Sequence, residues 1–162
     1  MDIKRITSLL AVLCSGLMAG LLFGDWLGPS FARAAMSPSS FIQFQQIVHI
    51  NYLRTLPALS TIALVAPVLW LIILRARRGT AQFKLVLFAT VAIAIGYTIT
   101  FVFNVPVNNQ LEMWSADAPP ANAREIWSQW EKAHVARTIF WVLGFFLQTL
   151  AFADDSQRHD KV

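Results

Sequence analysis

The residues able to do chemistry gather on three short stripes. Trp127, Trp130, Glu131, His134, Arg137, Thr138, Trp141 and Phe145 fall in one sector of a helical wheel turned by about 100° per residue. The opposite sector holds Ser128, Lys132, Val135, Ile139, Val142 and Phe146. A carboxylate, an imidazole and a guanidinium thus share a face with three tryptophans. An interfacial aromatic belt with a solvated ion pair accounts for the indoles, but it does not require the charged groups on the same stripe. Imidazole is suited to proton transfer near neutral pH, and fixed N–H donors are suited to an oxyanion.

A second stripe carries Gln45, His49 and Tyr52, with Gln46 alongside and Arg54 pointing away. His49 and His134 each stand a turn or two before an apolar run, which sets them at similar depth. The third is Asn104-Val105-Pro106-Val107-Asn108-Asn109. Proline here is expected to stop a helix, with the asparagines satisfying the freed backbone groups. Thr90, Tyr97, Phe101 and Asn104 share a face just before it, so Asn104 is expected to close a polar pocket that Glu112 and Trp114 cover.

The elements that carry these stripes follow from composition. Of 162 residues, 56% are hydrophobic and 14% charged, against roughly a quarter charged in soluble domains. Mean hydropathy is +0.54. A disordered chain, a disulfide-built module and an ordinary water-soluble enzyme are excluded. The net charge of +4 is placed at the ends of apolar segments, not in a basic run with interleaved aromatics, which argues against nucleic acid. The single cysteine, Cys14, lies within an apolar run and has no intramolecular partner.

Four segments have the ~20 mostly apolar residues that a spanning helix needs: about 6–27, 56–74, 83–103 and 137–153. They predict an all-α chain of one domain, 1–162, an integral membrane four-helix bundle. Pro57 and Pro67 are expected to bend or interrupt the second span. Lys4, Arg5, Arg75, Arg77, Arg78, Lys84, Arg158 and Lys161 fall on one side; Arg33, Arg54, Arg124, Lys132 and Arg137 fall on the other. The first set occupies short tails and one tight loop, so both termini are expected to be cytoplasmic in a multi-pass cell-membrane protein. Ala32-Arg33-Ala34 imitates a signal cleavage site, but the preceding run is long and ends earlier at Gly28-Pro29, so a retained helix is expected.

The two non-cytoplasmic connections contain helical patterns that run straight into the next span. Ser39 or Ser40 is expected to cap a helix through Phe41–Thr55, and Asn122 with Glu125 to open Ala123–Ala153 as a capping box. Helices two and four should therefore extend beyond the bilayer on the non-cytoplasmic side. Gly16, Gly20, Gly24 and Gly28 recur every four residues on the first helix. Close packing inside the bundle is the first expectation, with homodimerisation through Gly16, Gly20 and Gly24 as the alternative, and Gly20→Leu should disrupt it. Asp25 near the same helix end should pair with a base or line the pocket.

Phe44-Gln45-Gln46-Ile47-Val48-His49, Phe103-Asn104-Val105-Pro106-Val107-Asn108-Asn109 and Trp127 to Thr138, in this order around four spans, resemble the anthrone-oxygenase-like family of small membrane proteins. The resemblance runs from about Thr7 to Ala153. It implies a four-span membrane protein, some of whose relatives oxidise an anthrone to an anthraquinone with dioxygen. On that reading the partner is a hydrophobic small molecule arriving from the lipid bilayer, and no cofactor is needed. His134 would be the general base, oriented by Glu131 or His49, with Arg137 and the asparagines Asn104, Asn108 and Asn109 steadying the oxyanion. Trp127, Trp130, Trp141, Tyr97 and Phe101, with Gln45 and Tyr52, would hold the flat substrate. Two rival chemistries use the same residues: non-haem iron on His49, Glu131 and His134, or haem between the two histidines. A non-catalytic membrane subunit or small-molecule binding protein is the alternative from outside enzymology, and a transporter is a third.

Overall fold

The computed structural model describes the backbone of residues 2–159 and the side chains of residues 2–154. The Arg158 side chain and Lys161, counted above among the cytoplasmic bases, lie outside the described residues. The described chain is helical: α1 (Ile3–Leu27), α2 (Pro29–Ala35), α3 (Pro38–Leu53), α4 (Leu56–Ile73), α5 (Ala81–Ile99), α6 (Val105–Glu112) and α7 (Ala123–His159). Four continuous stretches are long and apolar enough to cross a membrane: Ile3–Ala35, Leu56–Arg77, Ala81–Glu112 and Ala123–Asp154. The protein is a multi-pass membrane helical bundle.

Local chemistry sets the boundaries. Asp2 accepts the Arg5 N–H at 2.7 Å and opens α1, supplying one of the orphan N-terminal donors with a partner. Gly28 ends that helix and Pro29 starts α2 at once. The cap of α3 is Ser37, which accepts the Ser40 N–H at 3.2 Å; neither Ser39 nor Ser40 is the cap, because Pro38 occupies the first helical position and suits it. Nor does α3 run straight into the span. The chain turns at Arg54–Thr55, whose N–H groups return to Asn51 and Tyr52 carbonyls at 3.3 and 3.1 Å. Pro57 has no N–H and its ring would strike the Leu53 carbonyl in a regular helix, so the break falls there. Pro67 is accommodated inside α4.

Pro106 does not stop the third span. Residues Thr100–Asn104 form a π-helical turn, closed by the Val105 N–H on the Thr100 carbonyl, and α6 continues to Glu112. The wider turn takes up the hydrogen bond that proline cannot donate. The helix that carries the fourth span starts at Ala123 as expected, with the Ile126 N–H on the Asn122 carbonyl at 3.1 Å.

In the bundle α1 lies against α4 and α7, and α5 lies against the same two helices from the other side. Three layers of side chains fill it. Ala11, Trp70, Leu74, Val86 and Ala151 pack at the end where the chain begins. Met18, Leu22, Ala63, Ile93 and Trp141 form the middle. Phe41, Ile42, Val107, Leu111, Trp127 and Trp130 close the far end, where α2, α3 and α6 gather. Large apolar side chains such as Leu13, Leu17, Ile62, Val65, Phe88, Ile139 and Phe146 point outward, as lipid rather than water would require. Ser15, buried on α1, donates to Gln148 Oε1 on α7 at 2.9 Å.

The glycine stripe divides. A Cβ on Gly16 would come within 2.8 Å of the Phe145 ring, whereas Gly20 and Gly24 meet nothing within 4 Å. Gly20→Leu therefore cannot pry the bundle apart, contrary to the reading of the stripe as one packing face. The close approaches lie elsewhere: a Cβ on Gly96 would stand 2.9 Å from Trp141, and one on Gly144 would stand 2.5 Å from Ile93.

Candidate functional site

At the far end of the bundle a cavity of about 370 Å³ opens between α1, α3, α4, α7 and the π-helical turn. Its size is within the roughly 300–1,000 Å³ of small-molecule sites. Met18, Leu21, Leu22, Val48, Leu53, Leu56, Pro57, Phe101, Val105, Trp130 and Trp141 give it apolar and aromatic walls. Into these project Asp25, Gln45, His49, Tyr52, Ser60, Tyr97, Thr100, Asn108, His134 and Arg137.

The α7 stripe faces inward as its periodicity indicates: Trp127, Trp130, His134, Thr138 and Trp141 are all buried. They are stacked as well as aligned. Phe41 meets Trp127 edge-on at 5.1 Å, Trp127 stacks on Trp130 at 4.3 Å, and Trp130 stacks on His134 at 4.8 Å. The Arg33 guanidinium lies over Trp127 and Trp130, and Arg137 over Trp130 at 5.2 Å; such cation–π contacts strengthen where water is excluded. Asn104, fully buried, donates to the Trp130 carbonyl at 3.0 Å. It fixes the register of α7 from behind and does not line the cavity. Asn109 is exposed, and Asn108 alone of the three asparagines reaches the cavity wall.

His134 is held on both sides. Arg137 directs Nε and one terminal nitrogen at His134 Nδ1, at 3.2 and 3.0 Å, and gives its other terminal nitrogen to Thr100 Oγ1 at 3.3 Å. Arginine can only donate, so Nδ1 accepts and the neutral ring carries its proton on Nε2. That nitrogen lies 3.3 Å from Asp25 Oδ2, in ion-pair range although not aligned as a hydrogen bond. Asp25 is itself gripped by Arg33 through both oxygens, at 2.9 and 2.7 Å. Arg33, buried to 1% exposure, also reaches Glu131 at 3.0 Å and Ser30 at 2.8 Å. Glu131 further accepts from Ser30 at 2.8 Å and from the Trp127 indole at 2.9 Å. The carboxylate beside His134 is thus Asp25 of α1, while Glu131 anchors α2.

His49 faces a different partner. Its Nε2 lies 3.1 Å from Glu112 Oε1 on α6, and Glu112 is 44% exposed. Gln45 and Tyr52, a turn on either side, line the same cavity, and Gln45 Oε1 is buried without a hydrogen-bond partner. Burial pushes the Tyr52 phenol above its ordinary range, reinforced by the Asp25 charge. Gln46 turns away and ties the end of α6 by donating to the Leu111 and Trp114 carbonyls at 3.0 and 2.9 Å. Trp114 packs beneath α3 and does not cover the cavity.

Among the described residues, no three His, Cys, Asp or Glu side chains are grouped closely enough to hold a metal ion. The set His49, Glu131 and His134 is dispersed because each is committed to another partner: Glu112, Arg33 and Arg137 respectively. Asp25 and Arg33 enter the network although periodicity alone gave neither a place beside the histidine; the aspartate in an apolar run, costly in lipid, was the available signal.

Fold and site together define a small integral-membrane helical bundle with an aromatic, sparsely polar cavity near one end. The chain belongs to the anthrone oxygenase family, whose model matches residues 44–147. No curated protein and no solved structure matches it. The matched segment spans α3 through most of α7, so the helix that supplies Asp25 and the short helix that supplies Arg33 precede it.

Proposed function

We propose that the protein oxidises a hydrophobic, anthrone-like aromatic substrate with dioxygen, using proton abstraction in place of a bound cofactor. The observation that carries this reading is the cavity itself: aromatic walls sized for a small flat molecule, into which two imidazoles, a guanidinium, the Asp25 carboxylate and the Tyr52 and Tyr97 phenols project. An anthrone methylene flanked by two rings and a carbonyl conjugated through them is acidic for a carbon. A base takes one proton, and the carbanion, drawn as its enolate, passes electrons to dioxygen and forms a C–O bond. The resulting hydroperoxide loses the second methylene hydrogen as a proton while the O–O bond breaks, giving a carbonyl and water. One dioxygen is consumed per methylene oxidised, and no further reductant is required.

Arg137 suits the oxyanion. It faces the cavity, its hydrogen-bond partners His134 and Thr100 are neutral, and donors fixed before reaction stabilise developing charge at no reorganisation cost. Lateral arrival from the bilayer fits the exposure of Phe101 and Leu53, both over half exposed at the cavity rim. With both termini in the cytoplasm, the cavity opens near the outer face of the cell membrane. The test is oxygen uptake by detergent-purified protein given anthrone. Wild type should exceed protein-free micelles, and Arg137→Gln should lose about 10²–10³-fold. Anthrone binding without uptake above micelles would replace the enzyme by a small-molecule binding protein.

A further inference from the structure

The two histidines that face the cavity have unlike surroundings, and the difference assigns their roles. We infer that His49, oriented by Glu112, is the proton acceptor, and that His134 is a positioning residue which holds Arg137. The inference rests on the catalytic reading above.

His134 lacks a lone pair to offer. Nδ1 is occupied by two Arg137 nitrogens at 3.0 and 3.2 Å, and the proton-bearing Nε2 faces Asp25 at 3.3 Å. Accepting a proton on Nδ1 would put a second cation in hydrogen-bond range of the Arg137 guanidinium, inside a wall that exposes only 1% of the histidine. At such separations like-charge repulsion opposes that protonation strongly, because little water is present to screen it. The order Asp25, His134, Arg137 instead forms a strut. The carboxylate stands in ion-pair range of the ring, and the ring accepts from the guanidinium of Arg137, which lines the cavity.

His49 meets the opposite conditions. Glu112 is a carboxylate and can only accept, so the 3.1 Å ion-pair contact favours the neutral tautomer with its proton on Nε2 and Nδ1 as the basic nitrogen. A carboxylate behind the ring stabilises the imidazolium that forms, the same logic by which buried acids support catalytic histidines. Glu112 is also 44% exposed while His49 is 15% exposed, so the pair connects the cavity wall to water. The carbon proton passes to Nδ1 of His49 and returns from there to the oxygen that leaves as water; no net proton is lost. The other titratable or charged groups that share the cavity with His49 are Tyr52 on its own helix, Asp25 of α1, Tyr97 of α5, and His134 and Arg137 of α7.

Oxygen uptake with anthrone, in full-length protein, separates the two histidines. His49→Gln should lower kcat by about 10²–10⁴-fold. His134→Gln should lose no more than about tenfold, because the amide oxygen can still accept from Arg137 and its NH₂ can still face Asp25. Glu112→Gln should lower kcat with KM unchanged, and Glu112→Asp should recover part of the loss because a carboxylate again stands behind the ring; a merely structural role would not be rescued by the conservative variant. The reverse order, with His134→Gln losing the larger factor, overturns the assignment. Should the wild type prove inactive, nitrogen-15 NMR of labelled histidines in micelles still decides the strut: Nε2 protonated and Nδ1 bare on His134 supports it, and a proton on Nδ1 of His134 refutes it.

Discussion

Removing Arg33 should do more damage than any other single change at the far end of the bundle. Its guanidinium is 1% exposed, fork-bonded to both Asp25 oxygens at 2.9 and 2.7 Å, and 3.0 Å from Glu131. Arg33→Gln leaves two carboxylates without their cation. They are not equally costly. Glu131 is 26% exposed and keeps Ser30 and the Trp127 indole, whereas Asp25 is 8% exposed and keeps only the His134 contact. Breaking a buried pair by removing one partner costs about 3–5 kcal/mol, because the surviving charge stays desolvated. Nearly all of that should come from Asp25. Adding Asp25→Asn to Arg33→Gln should therefore recover at least about 1 kcal/mol, a non-additivity expected of residues in one network. Reversible unfolding of micellar protein in a denaturing detergent, followed by tryptophan fluorescence, measures both. A single-variant loss under about 1 kcal/mol, or a double variant equal to the sum of its parts, would refute the buried-network reasoning.

The remaining expectations are briefer. Gly144→Ala and Gly96→Ala should each destabilise by about 1–3 kcal/mol through overpacking against Ile93 and Trp141, while Gly20→Leu stays within about 0.5 kcal/mol, all read from the same unfolding curves. Asn104→Ala should cost about 1–3 kcal/mol, since the amide donates from full burial to the Trp130 carbonyl; an unchanged midpoint would show that the register of α7 is held without it. Tyr52 should titrate above the ordinary phenol value of 10.0 because its site disfavours the phenolate. Its contribution to stability is then present below that value and lost as pH rises beyond it, and Tyr52→Phe should remove this component from an ultraviolet titration. Reporter fusions at Val162 and within residues 115–121 should give cytoplasmic and non-cytoplasmic signals respectively; a cytoplasmic signal from the second would invert the bundle in the membrane. Exhaustive chelation should leave anthrone oxidation intact, and loss restored by added iron would show that the dispersed histidines and carboxylates are drawn together by metal.

The helices were legible where a single physical rule dominates. Apolar length located four spans, and the 3.6-residue period placed Trp127, Trp130, His134 and Trp141 on the inward face. What failed was proline in context. Pro106 looks like a terminator, yet a π-helical turn absorbs its missing donor and brings Thr100 toward Arg137; Pro57 and Pro67 read alike as bends or interruptions, yet the chain breaks only before Pro57, and α4 runs on through Pro67. The pocket stripe of α3 was visible because Gln45, His49 and Tyr52 keep helical spacing. Partner choice was not visible. Glu131 shares a face with His134, but the carboxylate that reaches the ring comes from α1, and only the packing of α1 on α7 brings it there. Spacing likewise could not show which glycines are crowded, since that depends on whether Phe145, Trp141 or Ile93 stands opposite.

The central claim, that this cavity joins dioxygen to an aromatic methylene, is tested most directly by isotope. Purified protein in micelles is given anthrone under oxygen-18 gas in ordinary water, and the quinone is analysed by mass spectrometry against protein-free micelles and Arg137→Gln. The account predicts quinone that carries one labelled oxygen, formed faster than in micelles alone and slowed about 10²–10³-fold by the substitution. Quinone formed no faster than in empty micelles, or formed as fast by Arg137→Gln as by the wild type, would contradict it.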